Sequence, residues 1–362
     1  MFRSTIRINF FNLKFTNSSR RWYSSPLCHY GLCIDVDGVL IKGSNIIPET
    51  KPALQFLNGR NSLNKKIPFI LLTNGGGITE EKKAQQLSKM LDFPIKSCQI
   101  VLAHSPMKEL VPIYYDAEIL IVGGKNDNCR IVAENYGFKK VVLPSDILAW
   151  NPSIWPFSEV REDDLRWIRK RNFSNVKIEA VMVFHDSRNW GRDLQITLDV
   201  LRSKEGYVDT LASQSDLITR RIPLFFSNPD IIWSNDFPSP RLAQGSFRLA
   251  LENLFEKTTG LKLKYELFGK PELVTYNYAQ KMLVNYANEL TGNHLLNRKI
   301  YAVGDNPRSD IVGANRYGWN SILVKTGVFQ GEEIESQYSA NHVADNILHA
   351  VKWMFHKEEG LL

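Results

Sequence analysis

The chain has 362 residues, 43% hydrophobic and 23% charged, which is the composition of an ordinary folded protein with room for two domains or for one domain with a large insertion. It contains no run of about 18 apolar residues, so no transmembrane helix is expected. The net charge is +7, but Arg3, Arg7, Lys14, Arg20 and Arg21 supply +5 of it and the remainder carries only +2, which leaves no electrostatic case for nucleic-acid binding.

Those five cations lie in the first 23 residues, among Phe, Ile, Leu, Ser, Thr and Asn, and no acid precedes Asp35. This is the composition of a mitochondrial transit peptide, so residues 1–23 are expected to be a leader cut near Ser24, with the matrix as destination. Cys28, Cys33, Cys98 and Cys129 show no CxxC pairing, which predicts reduced, mostly buried thiols and neither a zinc site nor a disulfide framework.

After the leader, Gly31–Leu40 reads as a short buried strand and Ile46–Asn58 as a turn and helix. "IPFILLTNGGG" is a second strand ending in polar and glycine residues; "TEEKKAQQLSKML" is a helix with Thr79 as N-cap and Glu80 and Glu81 in its first turn. "QIVLAHS", "AEILIVGG" and "KVVLP" read as further strands, with a helix near Cys129–Tyr136. Residues 144–165, rich in Pro, Trp, Ser and Asp, read as a long loop whose tryptophans pack. "EAVMVFHD" (strand), "LQITLDVLRS" (helix), "IPLFFSNPD" (strand), helices near Phe247–Thr258 and Thr275–Leu290, and "KIYAVGDNPRSDIVGANRYG" (strand, acidic loop, helix) complete the chain. Strands alternating with helices predict an α/β fold built on a parallel sheet.

Chemistry concentrates at strand ends. Asp35 and Asp37 in "CIDVDGVL" are two apart, so on an extended strand they share a face, and Gly38 allows a sharp turn after them. "LLTNGG" ends on Thr73 and Asn74, "FGKPE" offers Lys270 with Pro271 placed to start a helix, and "AVGDNPRSD" ends on Asp305 with Asp310 five residues on. In an open α/β sheet these carboxyl ends are where ligands bind. Carboxylates gathered there repel one another unless a cation joins them, and hard oxygen ligands suit Mg2+, which shares its shell readily with phosphate. A hydroxyl and a lysine suit the remaining phosphoryl oxygens. The histidines show no HxH or HExxH spacing, GxSxG is absent, and "ILIVGGKND" lacks GxGxxG, so zinc, serine-hydrolase and dinucleotide readings fail.

In that order, DxDGV, a strand ending in TN, KP and GDxxxxD make the chain resemble the haloacid dehalogenase-like (HAD) hydrolase superfamily over about residues 30–345. "DVDGVLIKGSNIIPET", "LFFSNPDIIW" and "RLAQGSFRLAL" resemble its class IIA, the NagD/p-nitrophenylphosphatase-like branch, and the leader and aromatic insertion at 148–175 are similar to the HAD-like hydrolase domain-containing 5 group. The resemblance implies a Rossmann-like core at 30–105 and 223–345 and a C2-type α/β cap at 106–222 that excludes water and selects substrate. It implies Asp35 as nucleophile, Asp37 as general acid and base, and Thr73 and Lys270 as phosphoryl binders. Asp35, Asp37 through its main-chain carbonyl, Asp305 and Asp310 would hold Mg2+; Asn74 and Gly75 would shape the loop, and Asn228 and Asp230 would face the leaving group.

The expected function is a Mg2+-dependent phosphatase acting through an aspartyl-phosphate on a small phosphorylated metabolite in mitochondria. A phosphatase for a phospholipid headgroup at the inner membrane and a non-enzymatic HAD-fold binding protein are the alternatives. A homo-oligomer formed through the cap stays open.

Overall fold

The computed structural model describes residues 28–157, 165–233, 237, 239–292, 299–331 and 335–361. The leader expected at residues 1–23 lies outside the described residues.

Fifteen strands form two larger parallel sheets and two small hairpins among the described residues. The first sheet runs β15 (His342–Ala344), β14 (Asn320–Val324), β13 (Lys299–Gly304), β1 (Tyr30–Ile34), β4 (Phe69–Leu72), β5 (Ile100–Val101). The second runs β12 (Glu266–Leu267), β9 (Leu224–Phe226), β8 (Ala180–Val183), β6 (Glu118–Val122), β7 (Lys140–Val142). Hairpin β2–β3 (Ile41–Lys42, Asn45–Ile46) follows β1, and hairpin β10–β11 (Ile232–Trp233, Arg241–Leu242) follows β9.

The first sheet is buried on both faces, which is why its strands read as unbroken apolar runs. Leu32, Ile34, Leu71, Tyr301 and Val303 face helices α1 (Thr50–Leu57), α2 (Glu80–Leu91) and α11 (Ile347–Glu358). Their strand neighbours Cys33, Ile70, Leu72, Ile300 and Ala302 face α9 (Leu273–Thr291) and α10 (Val312–Tyr317). The alternation is the period-two geometry of a strand. Thr79 caps α2 as expected, its hydroxyl accepting from Lys82 N at 3.2 Å, with Glu80 and Glu81 in the first turn.

The second sheet is sandwiched in the same way. On one face Leu120, Val122, Val181, Val183, Leu224 and Phe226 meet α5 (Pro144–Trp150), α6 (Trp190–Arg202) and α8 (Gln244–Thr259). On the other, Ile119, Ile121, Met182 and Phe225 meet α4 (Asn128–Tyr136), which follows the short α3 (Val111–Tyr114). The short α7 (Gln214–Thr219) precedes β9.

Four sequence expectations change. The first strand stops at Ile34 rather than continuing to Leu40, because Val36, Leu40 and Ile41 close a turn in which Leu40 N and Ile41 N donate to Val36 O at 2.9 and 3.1 Å. The stretch 144–165 is not all loop: Pro144 opens α5, and a short turn follows at Pro152–Ile154, with Trp150 and Trp155 packed on the second core. The second unit does not end at residue 222. β9 and β12 pair in its sheet, and Phe247, Leu251 and Phe255 of α8 fill its core, so the chain returns to the first sheet only beyond Phe268. Pro271 does not begin α9, which starts at Leu273 with Glu272 as N-cap.

Candidate active site

The predicted residues sit just past the carboxyl end of a strand or in a loop beside one, except Asp310, which lies in the helical turn Pro307–Ile311. Asp35 follows β1, held by its N–H donating to Val303 O at 2.9 Å; Thr73 follows β4, its N–H donating to Val101 O at 3.1 Å; Asp305 follows β13. Three strands of one sheet thus deliver their first residues beyond the ladder to a common edge.

Lys270 is the centre of the arrangement. Its Nζ donates to Asp35 Oδ1 at 2.6 Å, Asp310 Oδ1 at 2.7 Å and Leu72 O at 3.1 Å, and the residue is only 4% exposed. Burial opposes its charge, but Asp310 and Asp35 outweigh burial and hold the ammonium well above the usual lysine range. Tyr276 of α9 fixes the other side of Asp310, its hydroxyl donating to the carbonyls of Ser309 at 3.1 Å and Asp310 at 3.0 Å.

Asp35, Asp305 and Asp310 present carboxylate oxygens within 4.8 Å of one another, all on buried residues. Burial pushes Asp35 well up, with Lys270 opposing and the neighbouring aspartates adding to the rise. Burial and the charge of Asp310 push Asp305 up to about 7. Three buried carboxylates clustered about one ammonium, which pairs with two of them, leave acid in excess of base. The donor set is hard oxygen only, without His or Cys, and so fits a hard divalent cation. Backbone clearance supports this fit: a Cβ on Gly38 would lie 2.3 Å from Asp305 Oδ2, and one on Gly327 would lie 1.9 Å from it. Both glycines leave room for the carboxylate that Val328 N holds at 2.6 Å.

The Asp37 carboxylate is outside this acidic trio. It is exposed, and Thr73 Oγ1 donates to its Oδ2 at 3.4 Å while accepting from Gly75 N at 2.9 Å. The candidate acid–base group therefore stands apart from the trio, with the Thr73 hydroxyl at its side.

Asn74 ties the remaining residues together. Its Nδ2 donates to Asp230 Oδ2 at 2.8 Å and to Lys270 O at 3.0 Å, while its Oδ1 accepts from Lys270 N at 2.8 Å. Asn228 Nδ2 donates to Asn74 O at 3.2 Å, and Asn228 Oδ1 accepts from Asp230 N at 2.8 Å. Burial raises Asp230 to about 6, with the Asn74 amide opposing. All ten predicted site positions thus fall in one contiguous region.

The sequence reading missed Tyr276 and the Gly327–Val328 backbone. "KTGVF" after β14 carries no motif; only a glycine after a buried strand marks it, and what makes that glycine necessary is the distant Asp305.

Two family models match. One, described as haloacid dehalogenase-like hydrolase, covers residues 32–139, and the other, described as HAD-hydrolase-like, covers 267–350. The chain is 39% identical over 357 residues to a cardiolipin synthase (CMP-forming)/mitochondrial hydrolase fusion protein of Schizosaccharomyces pombe. That match takes in 98% of this chain but 56% of the relative, so the chain spans only about half of the fusion protein's length. It is 37% identical over 336 residues to a mitochondrial hydrolase of Saccharomyces cerevisiae, covering 87% of this chain and 93% of the relative. Among solved structures, p-nitrophenyl phosphatase from Archaeoglobus fulgidus shares the fold at a TM-score of 0.58 and 17% identity, covering 90% of this chain and 99% of that one. With that fold, family models over residues 32–139 and 267–350 and likeness to a yeast hydrolase over 93% of its length, the chain belongs to the haloacid dehalogenase-like hydrolase family.

Proposed function

We propose that the protein is a Mg2+-dependent phosphatase that hydrolyses a small phosphorylated metabolite through an aspartyl-phosphate. The observation that carries this reading is Lys270 bridging Asp35 and Asp310 beside Asp305. Asp35, Asp305, Asp310 and the Asp37 carbonyl would hold the cation, which when bound offsets the charge of the incoming phosphate and of these carboxylates.

Lys270 engages Asp35 Oδ1, so the attack on phosphorus falls to the other carboxylate oxygen. An Asp35–phosphorus bond forms as the ester P–O bond breaks, and Asp37 gives its proton to the departing alkoxide. Asp37, now ionised, takes a proton from water; the water oxygen bonds to phosphorus, the Asp35–phosphorus bond breaks, and inorganic phosphate leaves. Thr73 and Lys270 bind the equatorial oxygens in both steps, supplying the positioning and charge stabilisation on which phosphoryl transfer depends. The second sheet and its helices act as the cap, closing over the site and excluding water that would screen these charges. Asn228 and Asp230, where β9 leaves that sheet, face the leaving group.

Mitochondrial residence, with the matrix as compartment, is supported by the acid-free basic start of the sequence and by two relatives named as mitochondrial hydrolases. One observation favours a second reading: the fused S. pombe relative also carries a cardiolipin synthase, which fits a phosphatase for a phospholipid headgroup at the inner membrane. No helix among the described residues is long and apolar enough to cross a membrane.

A panel of soluble phosphometabolites and headgroup phosphates in liposomes, scored by phosphate release with Mg2+, tests the proposal. Turnover of a soluble ester supports the first reading and turnover confined to liposomes the second. Undiminished release by Asp35→Asn removes the aspartyl-phosphate route, and no release from any substrate leaves the binding-protein alternative.

A further inference from the structure

Outside the phosphate-binding cluster lies a second buried polar chain. His104 has no exposed surface, and its ring stacks on Phe184, with centroids 5.5 Å apart and planes 11° apart. Gly77 N donates to His104 Nε2 at 3.1 Å, and His104 Nδ1 lies 2.7 Å from the Tyr136 hydroxyl. Tyr136 in turn donates to Glu80 Oε1 at 2.7 Å, which also accepts from Ser105 Oγ at 2.6 Å.

The donors fix the tautomer. Nε2 accepts a main-chain proton, so the neutral ring carries its own proton on Nδ1 and gives it to the tyrosine oxygen, whose hydroxyl proton is committed to Glu80. Burial favours this neutral form, lowering His104 to about 4. The loop lies tight against the ring: a Cβ on Gly76 would lie 2.8 Å from His104 Cδ2. At its other end, Gly75 N donates to Thr73 Oγ1, the hydroxyl beside Asp37. His104, Glu80 and Ser105 belong to the first unit, whereas Tyr136 ends α4 of the second.

We infer that His104 is a positioning residue that clamps the Gly75–Gly77 loop, and with it the Thr73 hydroxyl, between the two units by way of Tyr136 and Glu80. The inference rests on the reading of Thr73 and Asp37 given above, and goes beyond it by assigning a residue that touches neither phosphate nor cation. Its consequence is that the placement of α4 sets the geometry of the phosphoryl-binding loop.

Full-length wild type, His104→Ala, His104→Gln and Tyr136→Phe are compared by hydrogen exchange at Gly77 and by p-nitrophenyl phosphate hydrolysis with Mg2+. Glutamine supplies an oxygen for Gly77 N–H and an amide donor for Tyr136. His104→Ala is expected to speed Gly77 exchange and lower kcat by about tenfold or more each, with KM within about threefold. His104→Gln is expected to recover most of both, and Tyr136→Phe to fall between. A folded His104→Ala with unchanged Gly77 exchange overturns the inference, as does His104→Gln no better than alanine in both readouts. If wild type releases no phosphate, the catalytic reading fails on its own, and Gly77 exchange still decides whether His104 holds the loop.

Discussion

The two units each bury a cation against aspartate, and they do so to opposite ends. In the second unit Arg130 of α4 pairs with Asp146 of α5, both almost fully buried. One acid meets one base, and the shell is nearly closed: Asp146 also accepts from Leu143 N at 2.9 Å and Arg169 N at 2.8 Å, and Arg130 donates to Trp167 O at 2.5 Å. Within this pair Arg130 Nε has no hydrogen-bond partner among the described residues. In the first unit one ammonium pairs with two of three clustered carboxylates, Asp35 and Asp310, and among the described residues no other basic side chain forms an ion pair with the trio. Equal burial with unequal charge separates a structural pair from the site proposed to receive a cation and a phosphate.

Substitutions can break that contrast. The largest effect is expected at the proposed nucleophile: Asp35→Asn should lower phosphate release by about 10³-fold or more while thermal unfolding remains cooperative. Next, Arg130→Met should cost about 3–5 kcal/mol of stability in denaturant titrations by stranding Asp146, with kcat/KM of the folded protein nearly unchanged. If instead it abolished turnover without loss of stability, the pair would not be structural. Smaller still is the response to the cation. Mg2+ at about a hundred times its Kd should stabilise wild type by about 2.7 kcal/mol. The shift should survive in Arg130→Met and vanish in Asp305→Asn, and EDTA should reverse it together with activity.

The smallest expected effect is on pH dependence. Burial pushes the Asp230 carboxyl up to about 6 in the fold, against 3.8 for an ordinary aspartate. Its folded-state pKa is raised, so its contribution to stability is full below about pH 4 and is lost as pH rises through about 6. The difference in Tm between Asp230→Asn and wild type should therefore shift in favour of the variant between pH 4 and 7. A flat difference would mean that Asp230 is ionised at its Asn74 contact throughout.

The spacing of apolar runs, the Thr79 cap and the acidic strand ends were readable because each depends on neighbours a few residues away. Strand alternation and helix capping are local, and an acid at the end of an apolar run is conspicuous wherever it folds. The end of β1 at Ile34 was not readable, since the turn that stops it is built from Val36, Leu40 and Ile41 folding back on one another. Neither was the membership of β9, β12 and α8 in the second unit: their apolar patterns fit either sheet, and only strand pairing and the shared core of Phe247 with Phe226 distinguish them.

Sequence alone determined that Asp35, Asp37, Thr73, Lys270, Asp305 and Asp310 would stand at or soon after the close of apolar runs in a parallel α/β fold, because a polar residue that interrupts such a run is visible locally even where the strand's last residue is not. Tertiary structure alone decided that Lys270 would bridge Asp35 and Asp310, that Asp37 would turn to Thr73, and that Gly327 and Tyr276 would support the acids from far along the chain. Such contacts join residues up to 235 positions apart, and their geometry follows from strand order and packing, which no local pattern encodes.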